Sequence, residues 1–177
     1  MSKKNIIIWI ICLVVADQGI KIIIANFFFD SKFDIIESVF GFCPVYNDKF
    51  SYVNASLSLK LGLLPHAILF IFAQILMIFL YDYFKIIHRS KLSDFILILG
   101  QSILCCVFCG FFLWKDGILD YIFIYPVVCD LKDLYINSFL ICLFCYHFKY
   151  RKKIHLFKTK EYFSKRWIDI KQFLTKS

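Results

Sequence analysis

Four apolar runs, each about as long as a bilayer is thick, constrain this chain more than any other feature. They cover residues 6–29, 65–84, 95–114 and 133–150. A helix rises about 1.5 Å per residue, so about 20 residues cross a hydrocarbon core of about 30 Å. With 60% hydrophobic residues and a mean hydropathy of +0.71, a chain of 177 residues is too apolar for a soluble domain. The sequence therefore predicts a mainly α integral membrane protein with four transmembrane helices. Lys3 and Lys4 precede the first run as in a signal peptide, but no small-x-small cleavage site follows, and Asp17 and Lys21 interrupt the run. An uncleaved first helix is expected. Pro65 suits the first turn of the second helix, and Ser93 or Asp94 is the expected N-cap of the third.

Charge orients the runs. Lys3 and Lys4, then Lys85, Arg89 and Lys91, then the basic C-terminal stretch fall on one side of a four-span arrangement. The positive-inside rule places that side, with both termini, in the cytoplasm. Ten Lys/Arg against Glu161 and Asp169 between Lys149 and Ser177 account for the whole formal excess of +8. A basic tail on a membrane body points to anionic inner-leaflet lipid as its partner rather than to nucleic acid. The chain divides into a membrane domain, 1–150, and a cytoplasmic tail, 151–177. In the tail, Phe163, Trp167, Ile170 and Leu174 form one apolar helical face. The tail reads either as an interfacial amphipathic helix or as a disordered basic segment. Residues 30–64, too long for a bare loop, carry β-favouring stretches at Phe33–Pro44 and Tyr46–Leu59 with a turn signal at Asn47-Asp48. They predict a small outward β element with one short surface helix.

Carboxylates near hydrocarbon are costly and usually used. Asp120 sits in Ile118-Leu119-Asp120-Tyr121-Ile122-Phe123-Ile124, with no adjacent basic residue, so desolvation should raise its pKa. Asp133 opens the last run. Were the two close, they would share a proton, the arrangement with which paired carboxyls activate water. Asp17 and Lys21, one turn apart, can form an ion pair that serves the helix alone or the site. Asp130 and Asp133, three apart, could equally cap a helix start. The eight cysteines lie mostly in apolar runs, where Cys packs as a small hydrophobe. Cys43 and Cys129 are the extramembrane pair, and no disulfide is predicted between them. His66, His88, His147 and His155 are scattered, and no metal site is expected.

These residues resemble a family. Asp17-Gln18-Gly19-Ile20-Lys21 looks like the Asp-x-x-x-Lys block of bacterial lipoprotein signal peptidase (signal peptidase II). Gly117-Ile118-Leu119-Asp120-Tyr121-Ile122 resembles its Gly-x-Val-Val-Asp-Phe-Ile block, and Cys129-Asp130-Leu131-Lys132-Asp133 its Phe-Asn-x-x-Asp block. Asn47, after Pro44-Val45-Tyr46, stands for the Asn of its Asn-x-Gly-x-Ala-Phe-Ser block. At the end of the third run only Gly110 and the cation Lys115 match its Gly-Gly-x-x-Gly-Asn-x-x-Asp-Arg block; Phe111 and Trp114 replace the Asn and the Asp. The resemblance implies a catalytic pair, Asp120 and Asp133, supported by Asp17, Lys21, Asn47, Asp130 and Lys115. It implies an endopeptidase, without metal or cofactor, that cuts signal peptides from diacylglyceryl-modified prolipoproteins at the outer face of the bacterial cytoplasmic membrane. Its fold would be four helices with a β-cradle and a surface helix; a monomer is expected. Two other readings fit parts of the sequence: a non-catalytic relative that binds lipoproteins or signal peptides, and a membrane thiol oxidoreductase suggested by Cys142-x-x-Cys145.

Overall fold

The computed structural model describes residues 1–48, 62–114 and 117–155. Helix α1 runs Lys3–Phe27, followed by strands β1 (Phe33–Ile36) and β2 (Phe40–Asn47). Helices α2 (Leu63–Ile87) and α3 (Lys91–Leu113) come next, then strands β3 (Ile118–Ile124) and β4 (Val127–Cys129), then helix α4 (Leu131–His155). The architecture is mainly helical with a small sheet, and three of the helices, α1, α2 and α3, are long and apolar enough to cross a membrane. In α4 the apolar run is diluted by Asn137, Ser138 and His147, and the last turns carry Lys149, Arg151, Lys152 and Lys153.

The helices are built inside out relative to a soluble bundle. On α1, Ile7, Ile8, Trp9, Ile11, Val15, Ile22 and Ile23 are exposed, whereas the buried residues are Asp17, Gln18, Lys21 and Ile24. Those four fall on one face at helical spacing. Apolar side chains on the outside suit lipid, and the polar face must then find partners within the protein. Helix α3 is central, packing on α1, α2 and α4. It starts at a capping box in which Ser90 and Ser93 exchange side-chain-to-backbone hydrogen bonds, so the N-cap is Ser90 rather than Ser93 or Asp94. Asp94, buried inside the first turn, instead pairs with Arg89 Nε at 3.0 Å and with the N-terminal ammonium.

The sheet is antiparallel, in the order β1-β2-β3-β4. Tyr125-Pro126 turns β3 into β4, and Ile122 lies opposite Cys129. Residues 118–129, which join the third and fourth apolar runs, are thus a β-hairpin. Ile118, Leu119, Asp120 and Tyr121 are all buried, on both faces of the strand. A strand covered on both faces reads as an unbroken apolar run, without the alternation that marks a strand in sequence. Of the expected β element, Phe33–Pro44 holds β1 and most of β2. Most of Tyr46–Leu59, with any surface helix there, lies outside the described residues, as do Lys115 and the tail beyond residue 155. The sheet packs on the end of α1 through Ile24, Leu119 and Tyr121, flanked by Phe29, Phe42 and Trp114.

Candidate functional site

The site forms where β2, β3, α1 and the start of α4 meet. In the β2–β3 ladder Asn47 is opposite Ile118 and Val45 is opposite Asp120. Asn47 and Asp120 are therefore diagonal neighbours on one face, within reach of each other's side chains. Asn47 Nδ2 donates to Asp120 Oδ2 at 3.0 Å. Gly117 makes this approach possible. Its φ is +116°, and a Cβ there would lie 2.8 Å from the Asn47 carbonyl carbon.

The hairpin then returns the chain toward Asp120 from the other side. Asp130 caps α4 and Asp133 stands three residues on, and the pair forms a reciprocal box. Asp133 N–H donates to Asp130 Oδ1 at 3.0 Å, and Asp130 N–H donates to Asp133 Oδ2 at 3.1 Å. The helix-start reading of this pair is thus correct, and it does not exclude the other. Carboxylate oxygens of Asp120, Asp130 and Asp133 lie within 4.8 Å of one another. The box orients Asp133 toward the strand that carries Asp120.

Asp17 and Lys21 brace the arrangement from α1. Lys21 Nζ contacts Asp17 Oδ2 at 3.3 Å and Asp130 Oδ2 at 2.5 Å, with all three side chains at most 1% exposed. The intrahelical pair expected from their spacing exists, and it also ties α1 to α4. Asp17 Oδ1 accepts from the Lys132 N–H at 3.2 Å, which satisfies a free amide of the first turn of α4. Two further residues, to which the sequence assigned no role in the site, complete this shell. Gln18 Nε2 donates to Asp17 Oδ2 at 2.7 Å, and Trp114 Nε1 donates to Gln18 Oε1 at 3.0 Å. A glutamine in an otherwise apolar run, next to an aspartate, was the signal available for Gln18. Trp114 gave none, because its indole N–H does not show in an apolar pattern.

Lys132 is the third residue missed. Its ammonium lies 3.0 Å from Asp133 Oδ1 and 3.2 Å from Asp130 Oδ1, and only 12% of its side chain is exposed. The environments of the two central carboxyls consequently differ. Asp120 is 5% exposed, and burial pushes its carboxyl up to about 6, against the opposing hydrogen bond from Asn47. Asp133 has a side chain 35% exposed and a cation in contact. At Asp130 burial acts upward, but Lys132 and Lys21 outweigh it and hold the group below the usual carboxylate range. A trio of carboxylates at this spacing also has the donors a divalent cation takes. Here Lys21 and Lys132 supply positive charge at Asp130, and Lys132 does so at Asp133.

Asp120, Asp133, Asn47 and Lys132 line a cavity of about 750 Å³, walled by apolar residues including Val127 and Ile136. It is large enough for a few residues of extended peptide. Cys129 also lines it and donates from Sγ to the Ile122 carbonyl at 3.4 Å; all eight cysteines are free thiols.

No protein-family model matches this sequence, and no curated protein matches it. The fold, however, is similar to solved structures. One is described as a bacterial membrane enzyme determined by the in meso method at 1.9 Å resolution. It aligns with a TM-score of 0.58 at 18% identity over 81% of this chain and 92% of that chain. A second, described in the same words at 2.3 Å resolution, aligns with a TM-score of 0.56 at 18% identity, over 83% and 89% of the two chains. At such identity the likeness concerns the fold alone.

Proposed function

We propose that this chain is an aspartyl endopeptidase of the lipoprotein signal peptidase type, with Asp120 and Asp133 as its catalytic pair. The observation that carries the reading is the convergence of the two carboxyls, within 4.8 Å, in a cavity between strand and helix. Of such a pair, the ionised member takes a proton from water as the oxygen attacks the scissile carbonyl, and the protonated member donates to the carbonyl oxygen. The tetrahedral intermediate collapses as the leaving amine receives a proton. Asn47, Asp17, Lys21 and Asp130 hold the pair in place through the bonds described above. The substrate class is the lipid-modified prolipoprotein, and the membrane arrangement is four spans with both termini cytoplasmic and the cavity at the outer face. Apolar cavity walls suit a signal peptide, and the basic residues at the end of α4 suit an anionic inner leaflet.

Replacing Asp120 or Asp133 by Asn is expected to abolish cleavage of a diacylglyceryl-modified precursor by the purified, detergent-solubilised protein, with rates down by at least ~10³-fold. Unchanged processing by either variant would refute the dyad. The departures at Phe111 and Trp114 motivate a second reading, a non-catalytic binder of lipoproteins. Precursor binding by the wild type without product would favour it.

A further inference from the structure

Lys132 is explained neither by the carboxylate pattern nor by the resemblance. It is held at both ends: its backbone N–H by Asp17, its ammonium by Asp130 and Asp133. An ammonium so little exposed has been taken out of water for a purpose, since burial of a cation without partners costs several kcal/mol. Its bond to Asp130 would serve helix capping alone. The bond to Asp133 Oδ1 does more, because it adds a cation to one member of the pair. Asp120, the other member, has the neutral Asn47 amide as its hydrogen-bond partner.

We propose that Lys132 is a positioning residue that fixes which member of the pair holds the proton when the pair carries a single one, keeping Asp133 as the carboxylate and leaving Asp120 as the acid. The inference rests on the peptidase reading above. Its first support is the charge balance. Among the described residues, Asp17, Asp130 and Asp133 stand against Lys21 and Lys132, leaving one net negative charge; ionising the buried Asp120 as well would leave two. The second support is access. Asp133, with a side chain 35% exposed, can meet water, whereas Asp120 is 5% exposed among Ile118, Leu119 and Tyr121. Burial also raises the Asp120 carboxyl to about 6. The groups facing Asp133 among the described residues are few. They are Lys132 and Asp130 from α4, Asp120 from β3, the Cys129 thiol from β4 and the uncharged Asn47 from β2. Asp17 and Lys21 of α1 stand behind Asp130. Lys132 is the cation in direct contact.

Proton flow then has a fixed order. Asp133 takes a proton from water as the carbon–oxygen bond forms, while Asp120 gives its proton to the carbonyl oxygen. On collapse, Asp133 passes its proton to the leaving amine, and Asp120 recovers one from the hydroxyl that becomes the new carboxyl group. Both side chains end as they began.

The pH dependence of precursor cleavage by Lys132→Met and Lys132→Arg tests this. Lys132→Met should move the acid limb of the rate profile upward, because the cation in contact with Asp133 is gone. Lys132→Arg should keep the limb in place. An unmoved limb in Lys132→Met, whatever its absolute rate, overturns the proposal. An infrared titration locates the proton without any Lys132 variant. The protonated-carboxyl band that titrates near pH 6 should vanish in Asp120→Asn and persist in Asp133→Asn; the reverse overturns the proposal. If the wild type cuts no precursor, the peptidase reading falls, and the infrared result still decides where the proton sits.

Discussion

Asp120 should make the native protein less stable at neutral pH than a variant that has no charge to bury. The carboxyl rises from 3.8 in water to about 6 in the fold. Two units or slightly more correspond to about 3 kcal/mol between the two protonation states. With 5% exposure, little of this is screened by solvent. Between about pH 4 and pH 6 the folded protein binds a proton that the unfolded chain has released, so stability falls as pH rises through that window. Above it the penalty is complete, and below about pH 4 it is absent. Asp120→Asn removes the charge and keeps a group that can accept from Asn47. The variant should therefore exceed the wild type by up to about 3 kcal/mol at pH 7.5, with the difference vanishing near pH 4, while its cleavage activity is lost. The assay is unfolding of detergent-solubilised protein by graded SDS or heat at the two pH values, where ~3 kcal/mol corresponds to a rise of roughly 6 °C or more in Tm. Equal or lower stability of Asp120→Asn at pH 7.5 would refute the argument that the fold strains against the Asp120 charge.

Lys21→Met should destabilise far more than an ordinary surface change, because Asp17 and Asp130, both fully buried, lose their shared cation. Breaking such a buried pair costs about 3–5 kcal/mol, readable in the same unfolding assay; a loss below ~1 kcal/mol would show the triad to be dispensable. Gly117→Ala should cost about 1–3 kcal/mol and slow precursor cleavage, since a side chain at φ +116° is strained and its Cβ would collide with the Asn47 backbone. Wild-type stability and rate in that variant would mean that the β2–β3 crossing does not set the position of Asn47.

Helices α1, α2 and α3 were legible because an apolar run long enough to cross a membrane shows as length, and length survives in sequence without any need to know what packs where. The same apolar surroundings made Asp17, Lys21 and Asp120 conspicuous: a charge in such a run needs a partner, and two of the three have theirs at ion-pair distance. The strand around Asp120 was not legible. Its neighbours Ile118, Leu119 and Tyr121 are covered on both faces, which erases the period of two. The α3 cap, expected at Ser93 or Asp94, lies three or four residues earlier at Ser90, because serines and aspartate are comparable caps in sequence and the backbone turn alone distinguishes them. Lys132 was passed over because a lysine between two aspartates reads as a solvated charge. Its 12% exposure accompanies ion pairs to Asp130 and Asp133 at a helix start packed on α1, a tertiary arrangement with no local trace.

That contact also bears on how a site with altered polar support can stay assembled. Asp130 is fully buried, and as an anion it would by itself cost several kcal/mol. Two residues later on the same helix turn, Lys132 places its ammonium against both Asp130 and Asp133. The anion is thereby matched by a cation, and the cation reaches the carboxyl that faces water. At the end of α3 the contribution differs in kind: Trp114 gives its indole N–H to Gln18, which gives its amide to Asp17, which accepts the Lys132 backbone N–H. A neutral donor at that place asks for no counter-charge, so it can join the chain of hydrogen bonds without altering the balance around Asp120. Among the described residues, the central pair thus has one carboxyl in direct contact with a cation and one bonded to a neutral amide, the asymmetry that the proposed acid–base role would use.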